Sequence, residues 1–172
     1  DLDHTDINKE YYYRVRVQNG ENTNVTDLII YDTLEEAANT QLEEGEVTWK
    51  GSFKSIDVTP LEEQGIAPVV YYSTADPKLL DYNNVTGRKD EIWIDDESLW
   101  STELPDDPAD VTAVAVDCRK LKNGEDLVLG QNKGVQFYIT MTAPPEYPTL
   151  KDPDMVYAIN RPAYHSYQPD SQ

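Results

Sequence analysis

The feature that most constrains this chain is a two-residue alternation of apolar and polar side chains. Residues 9–18 carry it as Tyr11, Tyr13, Val15 and Val17 at odd positions, and residues 135–143 carry it as Val135, Phe137, Ile139 and Met141. Because successive side chains of a β-strand point to opposite faces, this period places all the apolar groups of a segment on one face. Both segments are therefore predicted to be half-buried strands.

Shorter segments rich in β-branched and aromatic residues predict further strands at residues 27–32, 48–58, 68–73, 91–94, 111–119 and 155–163. We expect Gly51 to interrupt the third of the predicted strands, and Asn19-Gly20 and Asn123-Gly124 to form turns. Only residues 34–44 show a helical period, which Gly45 can end.

Many short strands and a single helix indicate an all-β domain. The expected fold is an immunoglobulin-like β-sandwich that spans residues 1–172 as one domain. We also expect a sizeable insertion at approximately residues 46–110, between the early and the late strands.

The charge of the chain excludes some classes of partner. Its 33 acidic and 14 basic residues give a formal net charge of −19, which disfavours binding to nucleic acid and to anionic membrane surfaces. No segment is long and apolar enough to suggest insertion into a membrane. The single cysteine, Cys118, shares the parity of Val114 and Val116, so we expect it to be a buried thiol and no internal disulfide to form.

Two sequence motifs resemble the repeat modules of Gram-positive bacterial surface adhesins and pilins. The first is YYYRVRVQNGENTNVTDLIIYDTL (residues 11–34), with its Y-x-x-x-V-x-N strand and the following I-x-D-T-L strand. The second combines VTAVAVDCRKLKNGEDLVLGQNKGVQFYITMTAP (residues 111–144) with VYAINRPAY (residues 156–164). The resemblance implies a non-enzymatic, secreted, cell-wall-linked module that functions in adhesion or as a spacer. Its implied partners are neighbouring modules and a host protein or glycan.

In the fimbrial members of this group, a lysine and an asparagine form a spontaneous isopeptide bond beside an aspartate. The resemblance implies that Lys9, Asp32 and Asn160 are the candidates here. Lys9 shares parity with Tyr11 and Asp32 with Ile30, while Asn160 shares the parity of Val156 and Ala158. Desolvation favours the neutral, nucleophilic amine and the protonated carboxyl, which can polarise the amide. Lys50 and Lys54 are alternative nucleophiles.

Other functions remain open from the residues alone. Trp49, Trp93 and Trp100 are candidates for a sugar-stacking platform, which would make the chain a carbohydrate-binding module. A hydrolase would need paired carboxylates such as Asp95 with Glu97 or Asp117, but no spacing argues for one, and we expect no enzyme. We expect no metal site or cofactor. The acidic groups at residues 95–97 and 106–110 are candidate calcium ligands, although they lack EF-hand spacing.

Overall fold

Seven β-strands and one short α-helix, with a few 3-10 turns, form the regular structure of the described residues. These are residues 10–34, 51–80, 92–143 and 162–167 of this computed structural model. In chain order the elements are β1 (Glu10–Gln18), β2 (Thr26–Asp32), β3 (Ser52–Asp57), α1 (Thr59–Glu63), β4 (Val69–Ser73), β5 (Ala113–Asp117), β6 (Gly134–Thr142) and β7 (Pro162–Tyr167). The helix predicted at residues 34–44 lies outside the described residues except for Leu34, which has a left-handed φ of 57°.

The alternating segments form the smaller of two antiparallel sheets. Strand β6 is its centre, with β1 on one side and β3 on the other. Every second residue of β6 is buried, and Val15 of β1 lies opposite Phe137. The predicted alternation is therefore confirmed in both strands. Strand β3 begins at Ser52, directly after Gly51, and the part of the predicted strand before Gly51 lies outside the described residues.

The second sheet has four strands in the order β4-β5-β2-β7. Strand β5, with sequence AVAVD, is buried at all five positions, and β2 is buried from Leu28 to Asp32. One face contributes to the main core between the two sheets, together with Phe137 and Ile139 of β6. The other face lies under a second cluster. The mostly β architecture is thus confirmed, and α1 is the one short α-helix among the described residues.

The second cluster forms because Leu80 and residues 92–100 contribute apolar side chains to the outer face of the four-stranded sheet. Leu80, Trp93, Ile94 and Trp100 pack over Ile29, Tyr31, Ala113 and Ala115. Residues 91–94 were predicted to form a strand, but Trp93–Asp95 is a 3-10 turn. Both Trp93 and Ile94 are buried there, which a strand exposed on one face would not allow.

Residues 46–110, which we predicted to be an insertion, supply an edge strand to each sheet. Strand β3 borders the smaller sheet, and β4 borders the larger one. Helix α1, which the sequence analysis did not predict, follows β3 directly and buries Leu61 in the main core. Strand β7 extends to Tyr167, beyond the predicted end of the last strand at residue 163, whereas residues 155–161 lie outside the described residues.

Asn19 closes the turn after β1. Its side chain is buried, its amide donates hydrogen bonds to the carbonyl oxygens of Thr23 (2.8 Å) and Leu129 (2.9 Å), and its Oδ1 accepts one from Glu21 N at 2.9 Å. These bonds satisfy a buried amide that would otherwise be unfavourable. The predicted turn at Asn19-Gly20 is therefore present, and Asn19 connects it to the segment before β6.

We predict that Phe137→Ala lowers the free energy of unfolding by about 3–5 kcal/mol, because Phe137 is fully buried in the central strand β6. Gln136→Ala, one position away on the partly exposed face, is the matched control, with an expected change of less than about 1 kcal/mol. Urea unfolding of both variants measures the difference. Equal losses would contradict the inward orientation of the odd-numbered residues of β6.

Candidate functional site

Asp32 is a carboxylate buried inside a β-rich core. It is the last residue of β2, its exposure is 0%, and it shares the face of Leu28 and Ile30, which lie in the core between the sheets. Its partners across the four-stranded sheet are Val114 and Pro162. A carboxyl group in such a place is unfavourable unless hydrogen bonds compensate for its lost hydration.

Two hydrogen bonds connect this carboxyl group to separate parts of the fold. Asp32 Oδ1 accepts one from the backbone N–H of Leu34, at 2.7 Å, which fixes the chain just after β2. Asp32 Oδ2 accepts a longer one from the hydroxyl group of Tyr13, at 3.4 Å. Because Tyr13 belongs to β1 and Asp32 to β2, the carboxyl group lies where the two sheets approach each other.

Lys9 and Asn160, the other two candidates for a crosslink, lie outside the described residues. Their positions along the chain can still be related to the strands. Lys9 directly precedes β1, and Asn160 stands two positions before Pro162, which is paired with Asp32. Lys9 has the parity of Tyr11 and Val15, which are both buried, so the face to which we assigned it is the core face of β1.

The structure argues against one of the alternative nucleophiles. The side chain of Lys54 is 48% exposed and forms an ion pair with Glu10 on the outer face of the smaller sheet. Its exposure and its ion pair place the Lys54 amine outside the core, away from the buried Asp32 that the proposed crosslink requires. Lys50, the other alternative, lies outside the described residues.

The two described tryptophans of the predicted sugar platform are buried. Trp93 is 6% exposed and Trp100 is 3% exposed. Their ring centroids are 5.2 Å apart at an edge-to-face angle of 85°, and Tyr31 lies 4.9 Å from Trp93 and 5.8 Å from Trp100. A sugar-stacking platform needs exposed rings, whereas these two rings cover the outer face of the four-stranded sheet. Trp49 lies outside the described residues.

Sequence reasoning did not identify Tyr13 as a member of the site. The alternation of side chains along β1 marks Tyr13 only as a core-facing residue, in common with Tyr11 and Val15. Whether a core tyrosine reaches a particular carboxylate depends on how two sheets stack, and a single sequence carries no signal for that. Asp32, in contrast, was a candidate through the resemblance to the surface-protein modules, and strand parity placed it with Leu28 and Ile30.

Asp96 and Asp107, two members of the predicted calcium clusters, act as turn caps. Asp96 Oδ1 accepts a hydrogen bond from Ser98 N, and Asp107 Oδ1 accepts one from Ala109 N, each at 3.0 Å. Asp117 forms a two-point ion pair with the guanidinium group of Arg119, at 2.9 and 2.8 Å. Within the described ranges, no three His, Cys, Asp or Glu side chains are grouped so that they could hold a metal ion.

No family model, curated protein or solved structure matches the sequence or the fold. Of the helices in the described residues, none has the length and apolar character needed to cross a membrane.

Cys118 is the single thiol of the chain, and its surroundings suppress its reactivity. It is fully buried in the main core, as expected, and burial, with a smaller contribution from the nearby Asp117 carboxylate, raises the pKa of the thiol to about 12. The reactive thiolate is therefore disfavoured at neutral pH.

We predict that the folded protein reacts negligibly with a disulfide reagent such as DTNB from pH 7 to pH 9, since Cys118 stays protonated and inaccessible well below its raised pKa. In urea at the same pH, the unfolded protein should react with one equivalent of the reagent, which provides the control. Fast labelling of the folded protein at pH 8 would show that the thiol is accessible.

Proposed function

We propose that this chain is a non-enzymatic structural or adhesive module of a Gram-positive, cell-wall-linked surface protein. In this proposal it is an extracellular, immunoglobulin-like β-sandwich stapled by an isopeptide bond between Lys9 and Asn160. The observation that carries the proposal is the fully buried Asp32 at the end of β2. Its carboxyl group accepts a hydrogen bond from Tyr13 of β1, and its backbone is paired with Pro162 of β7.

The topology supports this location for a staple. Strand β1 belongs to the three-stranded sheet, whereas β7 is the outer strand of the four-stranded sheet, next to β2. A bond from the residue before β1 to the segment before β7 would connect the first and last strands of the domain across its core. When such a module is pulled at both ends, the covalent bond prevents the two sheets from separating.

The proposed chemistry balances without any added reagent. The neutral amine of Lys9 attacks Cγ of Asn160, while protonated Asp32 donates a proton to the amide oxygen and so makes the carbon more electrophilic. The new Nζ–Cγ bond replaces the Cγ–Nδ2 bond, and the amide NH2 group leaves as ammonia after taking up one proton, which balances the one proton that the amine loses. Asp32 recovers its proton when the carbonyl group re-forms.

The staple also fits the composition of the chain. A single cysteine rules out an internal disulfide, so an exported module would need another covalent constraint to gain similar robustness. A covalent bond between distant residues restricts the unfolded chain and so favours the folded state. Neighbouring modules of the same protein are the expected partners, together with a host protein or glycan.

We predict that the intact mass of the folded protein is lower than the sequence mass by one ammonia. Lys9→Arg, Asn160→Ala and Asp32→Ala should each restore the full mass, because they remove the nucleophile, the electrophile or the proton donor. Intact-mass spectrometry measures the loss, and tandem fragmentation of a digest locates the two joined residues.

Lys54→Arg is the matched control, since Lys54 is an exposed lysine of β3 in the same sheet as β1, and its replacement should leave the mass deficit unchanged. Asp32→Asn tests the carboxyl group while preserving most of its volume, in case Asp32→Ala fails to fold. A full sequence mass in the folded wild-type protein would refute the staple.

A further inference from the structure

The outer face of the three-stranded sheet differs in character from the rest of this acidic protein. Strand β1 presents Tyr12, Arg14 and Arg16 on that face, all of them exposed, with Tyr12 at 69%. Across the strand pair, Arg14 lies opposite Tyr138, and Arg16 lies opposite Gln136. This group of five side chains is called the β1 face below.

The two arginines of the β1 face are not neutralised by any residue that the structure describes. Neither forms an ion pair with any described residue, even though acidic residues outnumber basic ones by 33 to 14 in the whole chain. Two residues along a strand separate them by about 7 Å, so their positive charges reinforce each other on one surface. They remain available for an anionic partner.

Aromatic rings lie beside these charges. Tyr12 and Tyr138 form an edge-to-face pair with centroids 6.0 Å apart, so apolar surface adjoins the two guanidinium groups. Tyrosine and arginine are the residue types that recur at the energetic centres of protein–protein interfaces. The combination therefore favours an acidic protein surface over a simple anion.

The chain itself carries a surface of complementary character, at residues 103–110. Glu103, Asp106, Asp107 and Asp110 are exposed there and form no ion pair within the described part of the chain, and Leu104 adds an apolar side chain at 46% exposure. This group of five side chains is called the acidic segment below. Its carboxylates match the arginines, and its leucine matches the tyrosines.

The β1 face and the last turn of the acidic segment lie at opposite edges of the three-stranded sheet. The β1 face belongs largely to one edge strand, whereas the turn Pro108–Asp110 of the acidic segment packs beside β3, the other edge strand. One copy therefore cannot readily satisfy its own arginines with this segment. Two copies placed side by side bring the acidic segment of one to the β1 face of the next.

We propose that copies of this chain associate head-to-tail, with the acidic segment of one docked on the β1 face of its neighbour. Because the two surfaces differ, the contact is heterologous and extends into chains or closes into rings. The net charge of −19 opposes association at long range. Salt screens that repulsion over about 8 Å at physiological ionic strength, so the facing groups decide the outcome at contact.

Sedimentation velocity over a range of protein concentrations tests the proposal. We expect reversible association in about 0.1 M salt, weakened at least about tenfold in about 0.5 M salt, since the contact is largely electrostatic. The double variant R14E/R16E should weaken it on the order of 100-fold, because like charges then face each other. Circular dichroism confirms that the surface variants fold.

A matched control separates the local contact from net charge. The variant K78E/K122E replaces two exposed lysines outside both surfaces and also shifts the net charge from −19 to −23, two units for each substitution. It should retain most of the association. The variant D106K/D107K should fail to associate alone but should bind R14E/R16E when the two are mixed, since each supplies the complement of the other.

Three results would overturn the proposal. A protein that stays monomeric in low salt has no such contact. Equal effects of R14E/R16E and K78E/K122E would show that only net charge matters. A monomer that is retained on a heparin column through Arg14 and Arg16 would assign the β1 face to an anionic polysaccharide. None of these outcomes affects the intact-mass measurement. The isopeptide bond and the association of copies are therefore tested independently of each other.

Discussion

The pairing of β2 with β5 is the contact on which the rest of the structure depends, because both faces of this pair are buried. One face of the pair packs against the other sheet through Leu28, Ile30, Val114 and Val116. The other face lies beneath the rings of the second cluster and consists of Ile29, Tyr31, Ala113 and Ala115. The small alanines of β5 leave room for the rings of Trp93 and Trp100 above them. Asp32 lies at the end of this pair, where surrounding apolar groups exclude water.

Sequence patterns predicted those parts of the fold that depend on one strand at a time. The alternation in β1 and β6 gave their buried faces correctly, because each strand has one face in the core and one outside. The segment at 91–94 was misassigned because Trp93 and Ile94 are strand-forming types whose conformation is set by the sheet they cover. Helix α1 was missed because five residues with a single buried position, Leu61, carry no measurable helical period.

The candidate site, like the fold, was predictable only for features that depend on a single strand. Strand parity placed Asp32 on the core-facing side of β2, and the structure shows it fully buried there. The hydrogen bond from Tyr13 could not be predicted, since it crosses between sheets whose stacking no local pattern specifies. The tryptophans were weighed as sugar ligands because composition does not distinguish an exposed ring from one that covers a second sheet face.

The burial of Cys118 also bears on how the protein would behave among oxidants. A lone accessible thiol in an oxidising compartment pairs with thiols of other molecules or proceeds to sulfenic and sulfinic acids. Here the sulfur atom is enclosed in the main core, within 3.9 Å of the carbonyl oxygen of Val116, and its ionisation is suppressed. While the protein is folded, Cys118 therefore stays a free thiol in the presence of oxidants and forms no mixed disulfide.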